Sequence, residues 1–213
     1  MASCIIICAG GFTGLIEPVR PGDFLLAADG GLTHCEAFGL SPDGILGDFD
    51  SLGYVPERAE RFPVEKDDTD SMLAIRHGLE LGFRRFVLYG ALDGPRLDHT
   101  LANLQALVYL AEHGGSGYLV GQSCIAAVVK NGTLRFSKEA RGILSVFCMG
   151  QDAAGVTLTG LQYPLNDAVL TAGFPLGVSN HFLGREAAVT VREGTLLVLY
   201  DRENGFPQRE DGV

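Results

Sequence analysis

The chain has 213 residues, 46% of them apolar and 20% charged, which excludes a disordered polyampholyte and allows one large or two small domains. Its 26 acidic and 16 basic residues give a net charge of -10, which excludes nonspecific attraction to nucleic acid or to anionic lipid as a mode of action. No apolar run approaches the roughly 18 residues of a membrane span, and MASCIIICAGG lacks the basic region and cleavage pattern of a signal peptide, so a cytoplasmic protein is expected.

In chain order, Ser3 to Ala9 is a continuous apolar run closing on Gly10-Gly11, as expected of a strand buried on both faces. Phe24 to Ala28 repeats the pattern before Asp29-Gly30-Gly31. A third run ends near Leu46 before Gly47-Asp48-Phe49-Asp50-Ser51, and a fourth, Phe86 to Tyr89, ends before Gly90-Ala91-Leu92-Asp93-Gly94. Between them, Ser71 to Leu81 places Met72, Ile75 and Leu79 on one helical stripe, and Thr100 to Glu112 aligns Leu101, Leu104, Leu107 and Val108. After about Gln122 the pattern changes to short strand-like runs, such as Ala187 to Val191 and Thr195 to Tyr200, joined by a turn at Glu193-Gly194. The polar tail from Glu203 is expected to fray. The five cysteines, Cys4, Cys8, Cys35, Cys124 and Cys148, form no C-x-x-C pair and read as reduced core residues.

The alternation of strands and helices predicts an α/β fold: an N-terminal Rossmann-like parallel-sheet domain, residues 1–122, followed by a C-terminal antiparallel β-sandwich domain, residues 123–213. Ligands of open α/β sheets bind beyond the carboxyl ends of the strands, where the Gly/Asp clusters fall. Asp48 and Asp50 would point the same way on an extended backbone and could share one magnesium ion, although turn formation explains the same residues. Lys66-Asp67-Asp68-Thr69-Asp70 precedes a helix and holds more acids than capping needs. Its lysine offers a point charge to a phosphate. In the segment from Gly90 to Asn103, Arg96 suits phosphate oxygens, Asp98 or Thr100 could cap the following helix, and Asn103 lies about one turn inside it. Gly10-Gly11-Phe12-Thr13-Gly14 matches neither a Walker loop nor the dinucleotide fingerprint, and neither H-E-x-x-H nor G-x-S-x-G occurs.

Taken in order, Asp29-Gly-Gly, Gly47-Asp-Phe-Asp-Ser51, Lys66-Asp-Asp-Thr-Asp70 and Arg96-Leu-Asp-His-Thr-Leu-Ala-Asn103 resemble the thiamine pyrophosphokinase family. The resemblance spans nearly the whole chain, because that family joins an α/β domain to a β-sandwich and Gly177-Val-Ser-Asn180 resembles its C-terminal substrate motif. It implies transfer of a pyrophosphoryl group from ATP to the thiamine hydroxyl, giving thiamine diphosphate and AMP. It further implies Mg2+ at Asp48, Asp50 and Asp70 with Asp68 in support, and ATP at Lys66, Asp68, Gly90, Arg96, Asp98, His99 and Asn103. Asp98 would orient Arg96 or the nucleotide. Asp70 or Asp29 would accept the hydroxyl proton, and Ser179 and Asn180 would contact thiamine. The family's homodimers imply a thiamine-binding and dimerisation role for residues 123–213. Two departures stand out: Ser-Met-Leu-Ala follows Asp70 where many relatives carry another acid, and the chain has no tryptophan to stack on thiamine, leaving Phe182 or Tyr163. A Mg- or Mn-dependent phosphoesterase, or a nonenzymatic nucleotide or thiamine sensor, would use many of the same residues. The first would release phosphate without thiamine, and the second would bind without turnover.

Overall fold

The computed structural model describes residues 1–49, 54–56, 59–61 and 68–211. It divides into two units, Met1–Gln122 and Ser123–Val213, and contains parallel and antiparallel strand pairing.

In the first unit six strands pair in parallel: β1 (Ser3–Ile7), β2 (Phe24–Ala28), β3 (Gly44–Gly47), β4 (Glu60–Arg61), β5 (Arg85–Tyr89) and β6 (Ser116–Val120). Their spatial order is β6-β5-β1-β2-β3-β4. Every residue of β1 is buried, which is why its sequence after Ser3 is an unbroken apolar run. The chain grows outward from β1 through β4 and returns to place β5 on the other side of β1. The strand order therefore reverses between β1 and β5, the position beyond whose carboxyl ends open α/β sheets bind ligands.

Three α-helices connect these strands among the described residues: α1 (Gly31–Ala37), α2 (Asp70–Glu80) and α3 (Leu97–Glu112). The buried stripe of α2 is Ser71, Ala74, Ile75 and Gly78, not the expected Met72, Ile75 and Leu79. The small residues permit close approach to the sheet: a Cβ on Gly78 would lie 2.6 Å from Phe86 and 2.9 Å from the Cys4 sulfur. In α3 the buried residues are Asn103, Ala106, Leu107 and Leu110, whereas Leu101 is 55% exposed. The expected alignment with Leu101 fails because the helix turns the face bearing Asn103 inward. Neither Asp98 nor Thr100 caps α3. Arg96 holds the N-cap position without a side-chain capping bond, and Thr100 Oγ1 donates out of the helix to Leu92 O at 3.2 Å.

The second unit is antiparallel. It contains β7 (Cys124–Phe136), β8 (Ile143–Cys148), β9 (Ala153–Thr159), β10 (Leu165–Leu170), β11 (Gly177–His181), β12 (Ala187–Asp201) and β13 (Gln208–Asp211). The long strands β7 and β12 pair along their whole lengths. The first part of β12 also pairs with β9, which pairs with β10, and its last part pairs with β8, which pairs with β11. The turn expected at Glu193-Gly194 is instead a register shift within one continuous strand. Gly194 at φ 111° and Asn131 at φ 46° take up the irregularity, and Gly194 N donates to Asn131 Oδ1 at 2.9 Å.

As far as Asp211 the tail does not fray as expected. β13 pairs with β7, Arg209 donates to Val128 O at 2.7 Å, and Arg135 meets Glu210 at 2.7 Å, so polar residues are held by an exposed strand edge. Cys4, Cys8 and Cys35 are buried, whereas Cys124 and Cys148 are half-buried, and all five are thiols. No α-helix among the described residues is long and apolar enough to cross a membrane.

Candidate active site

Parallel strands deliver the ends of β1, β2, β3 and β5 to one side of the sheet, where a cavity of about 590 Å³ opens. Asp29, Asp48, Asp68, Asp70, Gly90, Arg96, His99 and Asn103 all line it, so most of the sequence-predicted residues of the first unit converge. Asp50 and Lys66 lie outside the described residues.

One carboxylate oxygen from each of Asp29, Asp48 and Asp70 lies within 4.8 Å of the others. Each comes from a different segment: the ends of β2 and β3 and the first turn of α2. Asp29 is positioned at φ 46°, a left-handed conformation that aspartate tolerates, with its N–H donating to Leu46 O at 2.8 Å. Beyond Asp48 the backbone is not extended, because Phe49 sits at φ 60°. Left-handed geometry costs a bulky residue about 1–3 kcal/mol, which burial of the Phe49 ring, 2% exposed, offsets by a similar amount. The extended backbone expected between Asp48 and Asp50 is therefore absent at Phe49, while Asp50 itself lies outside the described residues, and Asp29 takes a place in the cluster that the lone Asp-Gly-Gly did not announce.

Three converging carboxylates repel one another unless a proton or cation intervenes, and oxygen-only donors at this spacing fit a hard divalent ion. Asp68 is turned elsewhere: it accepts from Arg76 at 2.7 Å.

The loops after β1 and β5 form the opposite rim. Gly10 N donates to Gly90 O at 2.9 Å, Cys8 N to Tyr89 O at 2.8 Å, and the imidazole Nε2 of His34 lies 2.8 Å from Gly10 O. Gly90 adopts φ 67° and a Cβ there would collide with backbone of Cys8 and Gly10, so glycine is required. Burial, reinforced by the Asp70 carboxylate, pushes the Cys8 thiol up to about 12, so it is a neutral wall of the cavity. Arg96 meets Asp98 through both Nε, at 3.3 Å, and Nη2, at 2.6 Å. This contact raises the arginine's pKa and lowers that of Asp98, and it leaves both side chains exposed. His99 is also exposed.

Sequence reading missed the framework behind the acids. Thr69 is the N-cap of α2 and accepts from Met72 N at 3.2 Å, a signal available in a threonine placed just before the helix. Asn103, expected to contact nucleotide, has both amide atoms engaged by protein: Oδ1 accepts from Ser71 Oγ at 2.5 Å and Nδ2 donates to Ala91 O at 2.7 Å.

Ser179 and Asn180 belong to the second unit. Ser179 is exposed at φ 59°, with its N–H donating to Ser145 Oγ at 3.0 Å. Asn180 is 3% exposed and brackets Tyr163, accepting from its N–H at 2.9 Å and donating to its carbonyl at 2.7 Å. Tyr163 itself is 59% exposed, whereas Phe182 packs against Phe136 with ring centroids 5.1 Å apart.

The first unit is thus a parallel α/β unit that gathers three carboxylates beyond its strand ends, and the second unit is antiparallel. Residues 19–116 match the family model of the thiamin pyrophosphokinase catalytic domain, and residues 132–196 match that of its vitamin B1 binding domain. A thiamine pyrophosphokinase of Bacillus subtilis is 28% identical over 170 residues, covering 76% of this chain and 79% of the relative. The crystal structure of a thiamin pyrophosphokinase family protein from Enterococcus faecalis superposes with a TM-score of 0.79 at 26% identity, covering 94% of this chain and 99% of that one. The crystal structure of the Bacillus subtilis thiamine pyrophosphokinase shares the fold, with a TM-score of 0.80 at 23% identity over 93% of this chain and 98% of the other. The chain belongs to the thiamin pyrophosphokinase family.

Proposed function

We propose that the chain transfers the pyrophosphoryl group of ATP to the hydroxyethyl oxygen of thiamine, forming thiamine diphosphate and AMP. Membership of the family supports the reaction, and the convergence of Asp29, Asp48 and Asp70 on one cavity carries the assignment of its centre. The hydroxyl oxygen forms a bond to the β-phosphorus, the bond from that phosphorus to the oxygen bridging the α-phosphate breaks, and AMP departs with that oxygen.

Asp29, Asp48 and Asp70 would hold magnesium, with Asp50 as a further ligand, and the ion when bound would neutralise charge on the phosphate oxygens. The chain's own contribution is orientation. The Gly10 and Gly90 loops let the polyphosphate approach backbone closely, and Arg96, steadied by Asp98, and Lys66 bind its oxygens. Asp68 and His99 border the nucleotide, and Asp29 or Asp70 takes the hydroxyl proton.

In this reading the first unit is a Rossmann-like ATP- and magnesium-binding domain, and the second is a β-sandwich serving thiamine binding and dimerisation. The sharing of β7 and β12 between two groups of strands supports the sandwich. Ser179 contacts thiamine and Asn180 serves the same site by holding Tyr163, the exposed aromatic that takes the place of tryptophan. The protein acts in the cytoplasm as a homodimer. The comparisons do not favour the phosphoesterase or the sensor.

Incubation with ATP, magnesium and thiamine, followed by chromatography, tests the reaction. Equal amounts of AMP and thiamine diphosphate, absent without thiamine or with EDTA, are expected. Free phosphate without thiamine would establish a hydrolase, and binding without products a sensor.

A further inference from the structure

Asp70 stands between two residues whose hydroxyl oxygens lie 3.0 Å apart, Thr69 Oγ1 and Ser71 Oγ. Ser71 has one proton and directs it to Asn103 Oδ1 at 2.5 Å, so in the pair with Thr69 it must accept. Thr69 Oγ1 in turn accepts from Met72 N at 3.2 Å. Asn103 Nδ2 ends the series by donating to Ala91 O at 2.7 Å, which also fixes the orientation of the amide, since a flipped amide would set two oxygens against each other. The donors thus run in one direction from the N-terminus of α2, through α3, to the loop after β5. Bonds aligned in this way polarise and strengthen one another. Ser71 and Asn103 are each 8% exposed, so water has little access to replace a missing partner.

We propose that Asn103 is a positioning residue, which holds Asp70 in register with the loop after β5 and so fixes the carboxylate cluster relative to the phosphate side of the cavity. The inference rests on reading the cavity as a cation and ATP site. It replaces direct nucleotide contact as the role of Asn103, and it makes Ser71 part of the same device.

The test compares the full-length wild-type protein with Asn103→Leu, Ser71→Ala, Ser71→Thr and the double variant Ser71→Ala/Asn103→Leu. Mn2+ binding is measured by electron paramagnetic resonance without nucleotide, and AMP formation by steady-state kinetics. Loss of either link is expected to weaken Mn2+ binding and lower kcat by about tenfold, as for other supports behind metal ligands. The ATP KM should stay within about threefold, the double variant should be no worse than the weaker single, and Ser71→Thr should retain Mn2+ binding. A raised ATP KM in Asn103→Leu, with Ser71→Ala unaffected, would overturn the proposal in favour of direct contact. A lower melting temperature with unchanged Mn2+ binding and kcat would overturn it in favour of a purely structural role, as would failure of the wild type to bind Mn2+ at all. Should the wild type bind Mn2+ but make no AMP, the proposed reaction falls while the Mn2+ comparison still decides the role of Asn103.

Discussion

Gly47 closes directly on Asp29: a Cβ at residue 47 would lie 3.0 Å from the Asp29 Cα and 3.1 Å from its Cβ, at a φ of 152°. Only glycine lets the end of β3 pass this close to the end of β2, and the approach delivers Asp48 beside Asp29. Gly47→Ala is therefore expected to weaken Mn2+ binding about tenfold and to cost about 1–3 kcal/mol of stability. A Mn2+ titration and a thermal melt check both, and wild-type values in each would remove glycine from the account.

Asp70→Asn removes one negative charge from the cluster with little change of volume. On the proposed function turnover should fall by at least about 100-fold, because the substitution strikes a proposed ligand and not its support. The melting temperature should hold or rise, since repulsion among the three carboxylates is relieved. A folded variant with near-normal turnover would take Asp70 out of the centre.

The pair Arg96 and Asp98 is exposed, so on the proposed function its value lies in aiming the guanidinium and not in stability. Asp98→Asn should raise the ATP KM about tenfold, the equivalent of one oriented charge-assisted hydrogen bond. The melting temperature should not move. An unaltered ATP KM would show that Arg96 needs no partner.

Burial pushes the thiols of Cys4 and Cys8 up to about 12 and that of Cys35 up to about 11, from an ordinary value of 9.0. The folded state thus favours protonated thiols. Their contribution to stability is intact below pH 9 and declines as pH rises toward 12, because the unfolded chain releases protons first. Thermal melts should drop through that window, and iodoacetamide at pH 8 should label these cysteines only after denaturation. Rapid labelling of all three in the folded protein would contradict their burial.

Much of the first unit was legible in the sequence because a strand buried on both faces must be apolar throughout, and each run here ends abruptly in glycine, three of the four with aspartate. The helices were less legible. Their inward faces carry Ser71, Gly78 and Asn103, chosen for close packing and hydrogen bonding, which hydrophobic periodicity does not register. Asp29 reads locally as a turn residue, and only the adjacency of β2 and β3 brings it to Asp48. In the second unit, Glu193-Gly194 has turn chemistry, yet pairing of β12 with β7 on both sides of it keeps the strand continuous. β13 was hidden for a related reason: its residues are polar, and the edge of β7 holds them through backbone pairing and the Arg135 contact.

The central claim is most directly tested with ATP labelled at the β-phosphate, supplied with magnesium and thiamine. The account predicts that the label appears in thiamine diphosphate, in amounts matching unlabelled AMP. Label retained in ADP beside thiamine monophosphate, or released as free phosphate, would contradict it.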